Sequence, residues 1–360
     1  MIYLDYQATT PLALEAREAM IRHLDGPDGT TFGNPHSPHR LGRQAAAAIE
    51  AAREKIAALF PAGGRVIFTS GATEALNLAI RGSRGAGPVA FSAIEHSAVG
   101  DTAKAAGSHH ELSVTREGLC DPAQALGQDT RMIAVMAANN EIGTIQPLSQ
   151  WASRARETNA LLLVDAVQAY GKFAVPQADL IAISAHKFHG PKGVGALWVR
   201  DGVDLAEQQT GGGQEAKLRS GTLSPALIAG MGAAAELARE RMEEDAAHTQ
   251  KLWAQARDLF SAWELNGSAE ARWLGNLNLR KDGVDVARLM SECRTIMFSA
   301  GSACASGSGR PSHVLKAIGL SDPQAKSSIR LGFGRYTTSD EIEQAAAAIN
   351  AAVKDQLVWG

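Results

Sequence analysis

Short apolar runs alternate with helical stretches through the middle of the chain, and this alternation restricts the fold more than any other feature. Residues 66–68, 133–136, 161–164 and 180–183 are continuously apolar and predict strands, and the helical stretches between such runs include one predicted to start at Glu95. A strand that is apolar on both faces has to be covered on both faces, as the strands of parallel sheets are. The alternation therefore predicts an α/β fold whose mostly parallel sheet lies between two layers of helices.

The length of the chain predicts two unequal domains. A chain of 360 residues is too long for one simple core. A long helical region begins near Pro225 and leads into a smaller segment that mixes strands and helices. We predict a large domain over residues 12–250 and a small α+β domain built from residues 1–11 and 251–360.

The charge and cysteine content argue against several classes of protein. A net charge of −3 gives no electrostatic reason to bind nucleic acid or an anionic membrane. No apolar run is long enough to predict a membrane span, and the N-terminus lacks a secretory signal. Three cysteines without C-x-x-C spacing argue against disulfides and a structural metal site. We expect a cytoplasmic protein that holds no metal.

Polar and titratable side chains follow the predicted strands at their C-terminal ends. In an open α/β sheet these ends form the crevice where ligands bind. We therefore expect the side chains to meet at one site. They are Thr73, His96, Asn140, Asp165, Gln168, Ser184, His186 and Lys187.

Two of these positions have an ordinary structural interpretation beside the functional one. Residues 70–74 (SGATE) follow a strand and open a helix, which suits either an anion such as phosphate or ordinary helix capping. Asp165 ends a strand, where a carboxylate either caps a turn or holds a pyridine nitrogen protonated, as pyridoxal phosphate (PLP) requires.

Lys187 is the more specific signal. It lies in the segment 184–193 (SAHKFHGPKG), at a strand end rather than on a charged face, which favours a lysine that binds a carbonyl cofactor covalently. His186 and His189 as a metal pair lack further ligands at matching spacing. The segment also lacks the Gly-Lys-Ser/Thr of a nucleotide-binding loop.

A cysteine and two arginines complete the candidates. Cys304 lies in a run of small residues, 299–309 (SAGSACASGSG), which predicts a mobile loop with a reactive thiol at its tip. Cys120 and Cys293 have no comparable setting, and we expect them to be structural. Arg330 or Arg335 has the planar fork that binds a carboxylate, although a surface position is also compatible with Arg335.

Taken together, these motifs resemble the cysteine desulfurases of the NifS/IscS type, in the class V aminotransferase group of fold-type I PLP enzymes. The resemblance covers nearly the whole chain, and its motifs occur in the same order as in the family. They are residues 3–11 (YLDYQATTP), 32–35 (FGNP), 69–74 (TSGATE), 95–96 (EH), 139–143 (NNEIG), 164–168 (VDAVQ), the Lys187 segment, 219–222 (RSGT), the Cys304 loop and 328–330 (SIR).

The resemblance implies fold type I, with a mostly parallel seven-stranded sheet in the large domain and a smaller α+β domain that carries the cysteine loop. It implies that Lys187 holds PLP covalently, Cys304 carries a persulfide, and His96 stacks on the ring and exchanges a proton with substrate sulfur. It also implies that Asp165 pairs with the ring nitrogen and that Gln168 hydrogen-bonds the ring oxygen. The implied cofactor ligands are Ala72, Thr73, His96, Asn140, Asp165, Gln168, Ser184, His186, Lys187 and Thr222, the last from the partner subunit of a homodimer. The implied substrate ligands are Asn34, Asn140 and Arg330.

The implied reaction removes sulfur from L-cysteine, leaving alanine and a persulfide on Cys304. The sulfur then passes to an acceptor protein, either a scaffold for iron–sulfur cluster assembly or a tRNA-thiolation enzyme. Alternatives with the same fold are a selenocysteine lyase or another class V aminotransferase. An alternative from a different class is a non-catalytic sulfur carrier or scaffold.

Overall fold

The structure, a computed structural model, describes residues 1–301 and 311–359, with side chains described up to residue 357. The strands are β1 (Ile2–Tyr3), β2 (Gly64–Thr69), β3 (Val89–Ser92), β4 (His109–Leu112), β5 (Met132–Ala134), β6 (Leu161–Asp165), β7 (Leu180–Ser184), β8 (Gly195–Arg200), β9 (Glu264–Leu265), β10 (Asn276–Arg280), β11 (Ile296–Met297), β12 (Ser299–Ala300) and β13 (Ser328–Gly332). The α-helices are α1 (Leu14–Ile21), α2 (Arg40–Ala57), α3 (Ala72–Gly82), α4 (Ser97–Ala106), α5 (Leu148–Glu157), α6 (Pro225–Leu259), α7 (Val286–Glu292), α8 (His313–Ala317), α9 (Asp322–Lys326) and α10 (Ser339–Trp359). Ala185–Lys187 and Glu215–Lys217 form 3-10 turns.

A seven-stranded sheet forms the centre of the molecule, in the order β2-β8-β7-β6-β5-β3-β4. The strands from β7 to β4 pair in parallel, and β8 runs antiparallel to both β2 and β7. The predicted α/β fold with a mostly parallel sheet is therefore confirmed.

Side chains from successive strand positions enter two different cores. Val66 and Phe68 pack with α2 and α6 on one face, whereas Ile67 packs with α3 and α4 on the other. Leu162 and Leu163 divide in the same way. Because alternate strand residues point to opposite faces, a sheet covered on both sides needs the continuously apolar runs that the sequence contains.

A second, antiparallel sheet (β12-β13-β10-β9) lies near the C-terminal end of the chain. The N-terminal arm joins it, since β1 pairs in parallel with β11 and Leu4 packs in the same core as Leu277, Leu331 and Ile349. Residue 250 falls inside the continuous helix α6, so the domain division at this residue stays a prediction.

Leu4→Ala should destabilise the protein. The Leu4 side chain is 1% exposed, and removing it leaves a cavity in the core of the second sheet, which costs about 2–5 kcal/mol of unfolding free energy. Chemical denaturation measures the loss. Leu357→Ala removes the same atoms from a side chain that is 46% exposed, and an equal loss there would contradict the assignment.

Several element boundaries differ from the sequence prediction. The helix predicted to start at Glu95 begins at Ser97, because the His96 ring accepts a hydrogen bond from the backbone N–H of Ala98 and caps it. The strand predicted over residues 133–136 ends at Ala134, and the N–H of Met136 instead donates to the Glu95 carboxylate. In the part of the chain that is described, every helix falls short of the length and apolarity that crossing a membrane requires.

Candidate active site

A cavity of about 540 Å³ opens at the C-terminal ends of the central strands. The side chains predicted to meet there do so, because the parallel strands end at one edge of the sheet. The predicted site residues that line the cavity are Ala72, Thr73, His96, Asn140, Asp165, Gln168, Ser184, His186, Lys187 and Arg330.

Three predicted site residues are not in this group. Asn34 and Thr222 are exposed and do not line the cavity of this single chain. The Asn34 side chain accepts a hydrogen bond from the backbone N–H of His36 at 2.9 Å. Cys304 lies outside the described residues, so its place relative to Lys187 stays a prediction.

One end of the cavity is suited to an anion. The eleven-residue helix α3 begins there after Gly71, and no side chain caps it, so its first N–H groups lack intrahelical acceptors and carry a partial positive charge. A Cβ atom on Gly195 would lie 2.7 Å from the Gly71 Cα, so only glycine allows the two backbones this approach. The first helical turn thereby reaches the cavity.

His186 supplies a neutral donor beside this helix start. Burial, and then the charge of Lys187, lowers the pKa of His186 to about 4. Its Nδ1 lies 3.2 Å from the Thr9 hydroxyl. A neutral imidazole keeps one N–H, so His186 is able to donate a hydrogen bond to an anion.

The Lys187 amine is oriented by the N-terminal arm. Its Nζ donates to the carbonyl oxygens of Gln7 at 2.6 Å and Ala8 at 2.8 Å. Sequence reasoning missed both residues as contacts of the lysine, although they lie inside the motif at residues 3–11. A contact made by a backbone carbonyl leaves no requirement on the side chain, so residue type carries no signal for it.

Asp165 also lines the cavity, where it is a buried carboxyl group. Burial raises its pKa, while the hydrogen bond from the N–H of Val167 and the neighbouring basic groups His96 and Lys187 favour its ionised form. Glu95 lies deeper: burial, and then the Asp165 carboxylate, raises its pKa well above the usual value. Of the two neighbouring carboxyls, we assign the charge to Asp165, because it faces the cavity and two basic groups.

The hydrogen-bond network defines the proton position on His96. Its Nδ1 accepts from the N–H of Ala98 at 3.1 Å, so the neutral ring carries its proton on Nε2. The helix cap therefore holds the ring and leaves Nε2–H as its remaining polar atom.

Arg330 is the arginine that reaches the cavity. It is 1% exposed, donates to the Asn140 carbonyl at 3.1 Å and pairs with Asp5 at 2.7 Å. Arg335 is also buried, and it pairs with Asp245 at 2.6 Å, away from this cavity. The alternative that Arg335 is a surface arginine is therefore wrong, because its side chain is buried and its charge is neutralised by Asp245.

The residues present fit PLP on chemical grounds. An uncapped helix start with neutral donors suits its phosphate, a buried carboxylate suits its ring nitrogen, and a lysine amine suits its carbonyl carbon. The structure brings all three groups to a single cavity.

Comparison with known proteins points to the same chemistry. The model of the family "Aminotransferase class-V" matches residues 2–345. Cysteine desulfurase IscS of Colwellia psychrerythraea is 40% identical over 377 aligned residues, which cover 98% of this chain and 92% of that protein.

Solved structures agree, and they confirm the predicted fold type I. A NifS-like protein has a TM-score of 0.89 at 30% identity, over 98% of this chain and 99% of that one. The structure described as SspA in complex with cysteine has a TM-score of 0.81 at 33% identity, over 94% of this chain and 100% of that one. The chain therefore belongs to the class-V aminotransferase family, among the cysteine desulfurases of the NifS/IscS type.

Proposed function

We propose that this chain is a PLP-dependent enzyme that converts L-cysteine to L-alanine and leaves the sulfur as a persulfide on Cys304. The observation that carries the proposal is the meeting of Lys187, Asp165 and the uncapped start of α3 in one cavity. When bound there, PLP supplies an electron sink for the charge released as the substrate Cα–H bond breaks.

Four residues around the cavity would each have a separate role in the reaction. Arg330 would hold the substrate carboxylate, since its guanidinium is buried at the cavity wall. Lys187 would carry the α-proton on Nζ, which the carbonyls of Gln7 and Ala8 orient. Asp165 would pair with the protonated ring nitrogen, and that cation would favour the ionised form that burial disfavours. His96 would present Nε2–H to the substrate sulfur.

Sulfur transfer needs a thiolate, because the thiol is a weak nucleophile. The Cys304 thiolate would attack the substrate sulfur, the bond between sulfur and Cβ would break, and protonation at that carbon would give alanine. Burial raises the pKa of Cys120 to about 12 and also raises the pKa of Cys293. Neither described cysteine therefore suits the role, which supports the assignment to Cys304.

We further propose a homodimer in which Thr222 of each subunit reaches the other's anion site. The exposed apolar side chains of Leu14 and Ile21 lie seven residues apart on one face of α1, and an exposed apolar face of this kind supports a protein interface. The sulfur acceptor would be an iron–sulfur scaffold or a thiolation enzyme. The free thiols of Cys120 and Cys293 support a cytoplasmic location.

A visible absorption spectrum of the purified protein, taken before and after adding L-cysteine, tests the proposal when alanine is assayed in parallel. We expect a coloured protein, a spectral change with cysteine, and alanine formed without a keto-acid acceptor. A requirement for a keto acid would indicate an aminotransferase, and faster turnover of selenocysteine than cysteine would indicate a selenocysteine lyase. A colourless protein would indicate the non-catalytic carrier.

Arg330→Lys should raise the KM for L-cysteine far more than it lowers kcat. Lysine keeps the charge but loses the planar fork that binds a carboxylate through two hydrogen bonds, and we expect kcat/KM to fall by about 10–100-fold. Steady-state kinetics measure the change. Arg294→Lys is the control, since Arg294 is exposed, and equal effects at both positions would rule out the assigned role of Arg330.

A further inference from the structure

Another lysine, Lys172, lies outside the main cavity but contacts one of the residues that line it. It has no part in the mechanism described above. Its Nζ donates to Oε1 of Gln168 at 3.0 Å and lies 5.8 Å from the centre of the Trp273 ring. Lys172 does not line the main cavity, whereas Gln168 does.

The Gln168 amide links the two lysines. Its Nε2 donates to the Gln7 carbonyl at 3.1 Å, and the same carbonyl accepts from Lys187 at 2.6 Å. An ammonium group only donates hydrogen bonds, so Lys172 requires the oxygen end of the amide to face it. The Nε2 end then keeps one hydrogen for Gln7 and one for the cavity.

A small chamber of about 40 Å³ lies between the lysines, and it is separate from the main cavity. This volume holds roughly two waters. Two atoms of its lining residues, Gln7 Oε1 and Arg335 Nη1, are buried without a hydrogen-bond partner among the described residues. Among the described residues, the charged and titratable groups that line this chamber with Lys172 or interact with it electrostatically are Tyr6, His186, Lys187, His189, Asp245 and Arg335.

We propose that Lys172 is a positioning residue that holds the Gln168 amide so that an N–H, and not the carbonyl oxygen, faces the ring oxygen of the bound cofactor. This inference rests on the proposed function, because the ring oxygen belongs to PLP. Without Lys172 only the Gln7 carbonyl holds the amide in this orientation, so the amide turns over more readily, and its carbonyl oxygen would then face an oxygen that carries negative charge.

The strength of this hold depends on pH. Burial, and then the charge of Lys187, lowers the pKa of Lys172 to about 7. Below that pH the amine is an ammonium group that only donates, whereas above it the neutral amine is also able to accept. The hold on Gln168 therefore weakens as the pH rises through about 7.

Absorbance of the PLP-loaded protein as a function of pH tests the proposal. An N–H donor stabilises negative charge on the ring oxygen, so losing it favours the protonated form of the bound cofactor. Lys172→Met should raise the pH midpoint of the absorbance change by about one unit. Lys172→Arg keeps a charged donor and should stay near the wild type. Lys251→Met makes the same chemical change at an exposed position and should leave the midpoint unchanged.

A double variant tests whether Lys172 acts through Gln168. If it does, Lys172→Met added to Gln168→Leu should shift the midpoint no further than Gln168→Leu alone. Fully additive shifts, or an unshifted Lys172→Met, would overturn the proposal. Should the methionine variant fail to fold, Lys172→Gln should shift the midpoint in the same direction. Wild-type protein without cofactor absorbance would instead refute the proposed function.

Discussion

Lys187→Ala should lower alanine formation from L-cysteine by about 10³-fold or more and abolish the visible absorbance of covalently held cofactor. The reason is that one amine both holds the cofactor and carries the substrate α-proton. The carbonyls of Gln7 and Ala8 orient that amine at the end of β7, and the variant removes this donor from both.

Absorbance and alanine assays on two control variants complete this test. Lys192 also lines the cavity, so Lys192→Ala asks whether the other lysine there holds the cofactor. We expect Lys192→Ala to keep the cofactor absorbance. Lys251→Ala, at an exposed position of α6, controls for loss of a lysine charge. Persistence of the absorbance in Lys187→Ala would refute the assignment.

Cys304→Ser should still show spectral changes of the cofactor with L-cysteine and yet lose sulfur transfer by about 10²-fold or more. A serine hydroxyl is a far poorer nucleophile than a thiolate at neutral pH, whereas binding of cysteine and removal of its α-proton need no thiol at this position. Mass spectrometry of the peptide that contains Cys304 should show one added sulfur atom in the wild type and none in the variant.

The other two cysteines provide matched controls. Cys120→Ala and Cys293→Ala remove buried thiols, and we expect both variants to keep the persulfide on Cys304. A persulfide found on Cys120 or Cys293 instead, or normal turnover by Cys304→Ser, would reject the carrier role.

Sequence patterns were sufficient to predict the architecture, because the burial of a strand determines which of its positions have to be apolar. Runs such as residues 161–164 have to be apolar at every position when both sheet faces are covered, and the strands β6 and β7 lie where these runs predicted. The position of the ligand site was predictable for a related reason, since side chains placed after parallel strands meet at one end of the sheet.

The contacts that tune the site were decided by tertiary structure alone. Glu95 and Asp165 become neighbours only when β3 and β6 lie in one sheet. Asp5 pairs with Arg330 across most of the chain's length, and Gln168 donates to the Gln7 carbonyl although 161 residues separate the two in the chain. The identity of a charged residue in the sequence does not indicate whether its side chain is solvated or paired in the folded protein.

The amino-acid sequence by itself determined the sheet, through its apolar runs, and indicated the family and the side chains that gather at the cavity, through motifs that occur in the order of the resembling family. Only the folded chain decided that backbone carbonyls of the N-terminal arm orient Lys187, and which of two arginines meets the cavity. These properties depend on distances between residues far apart in the chain and on burial, which shifts the free energy of a charge by several kcal/mol, and neither quantity is encoded in local pattern.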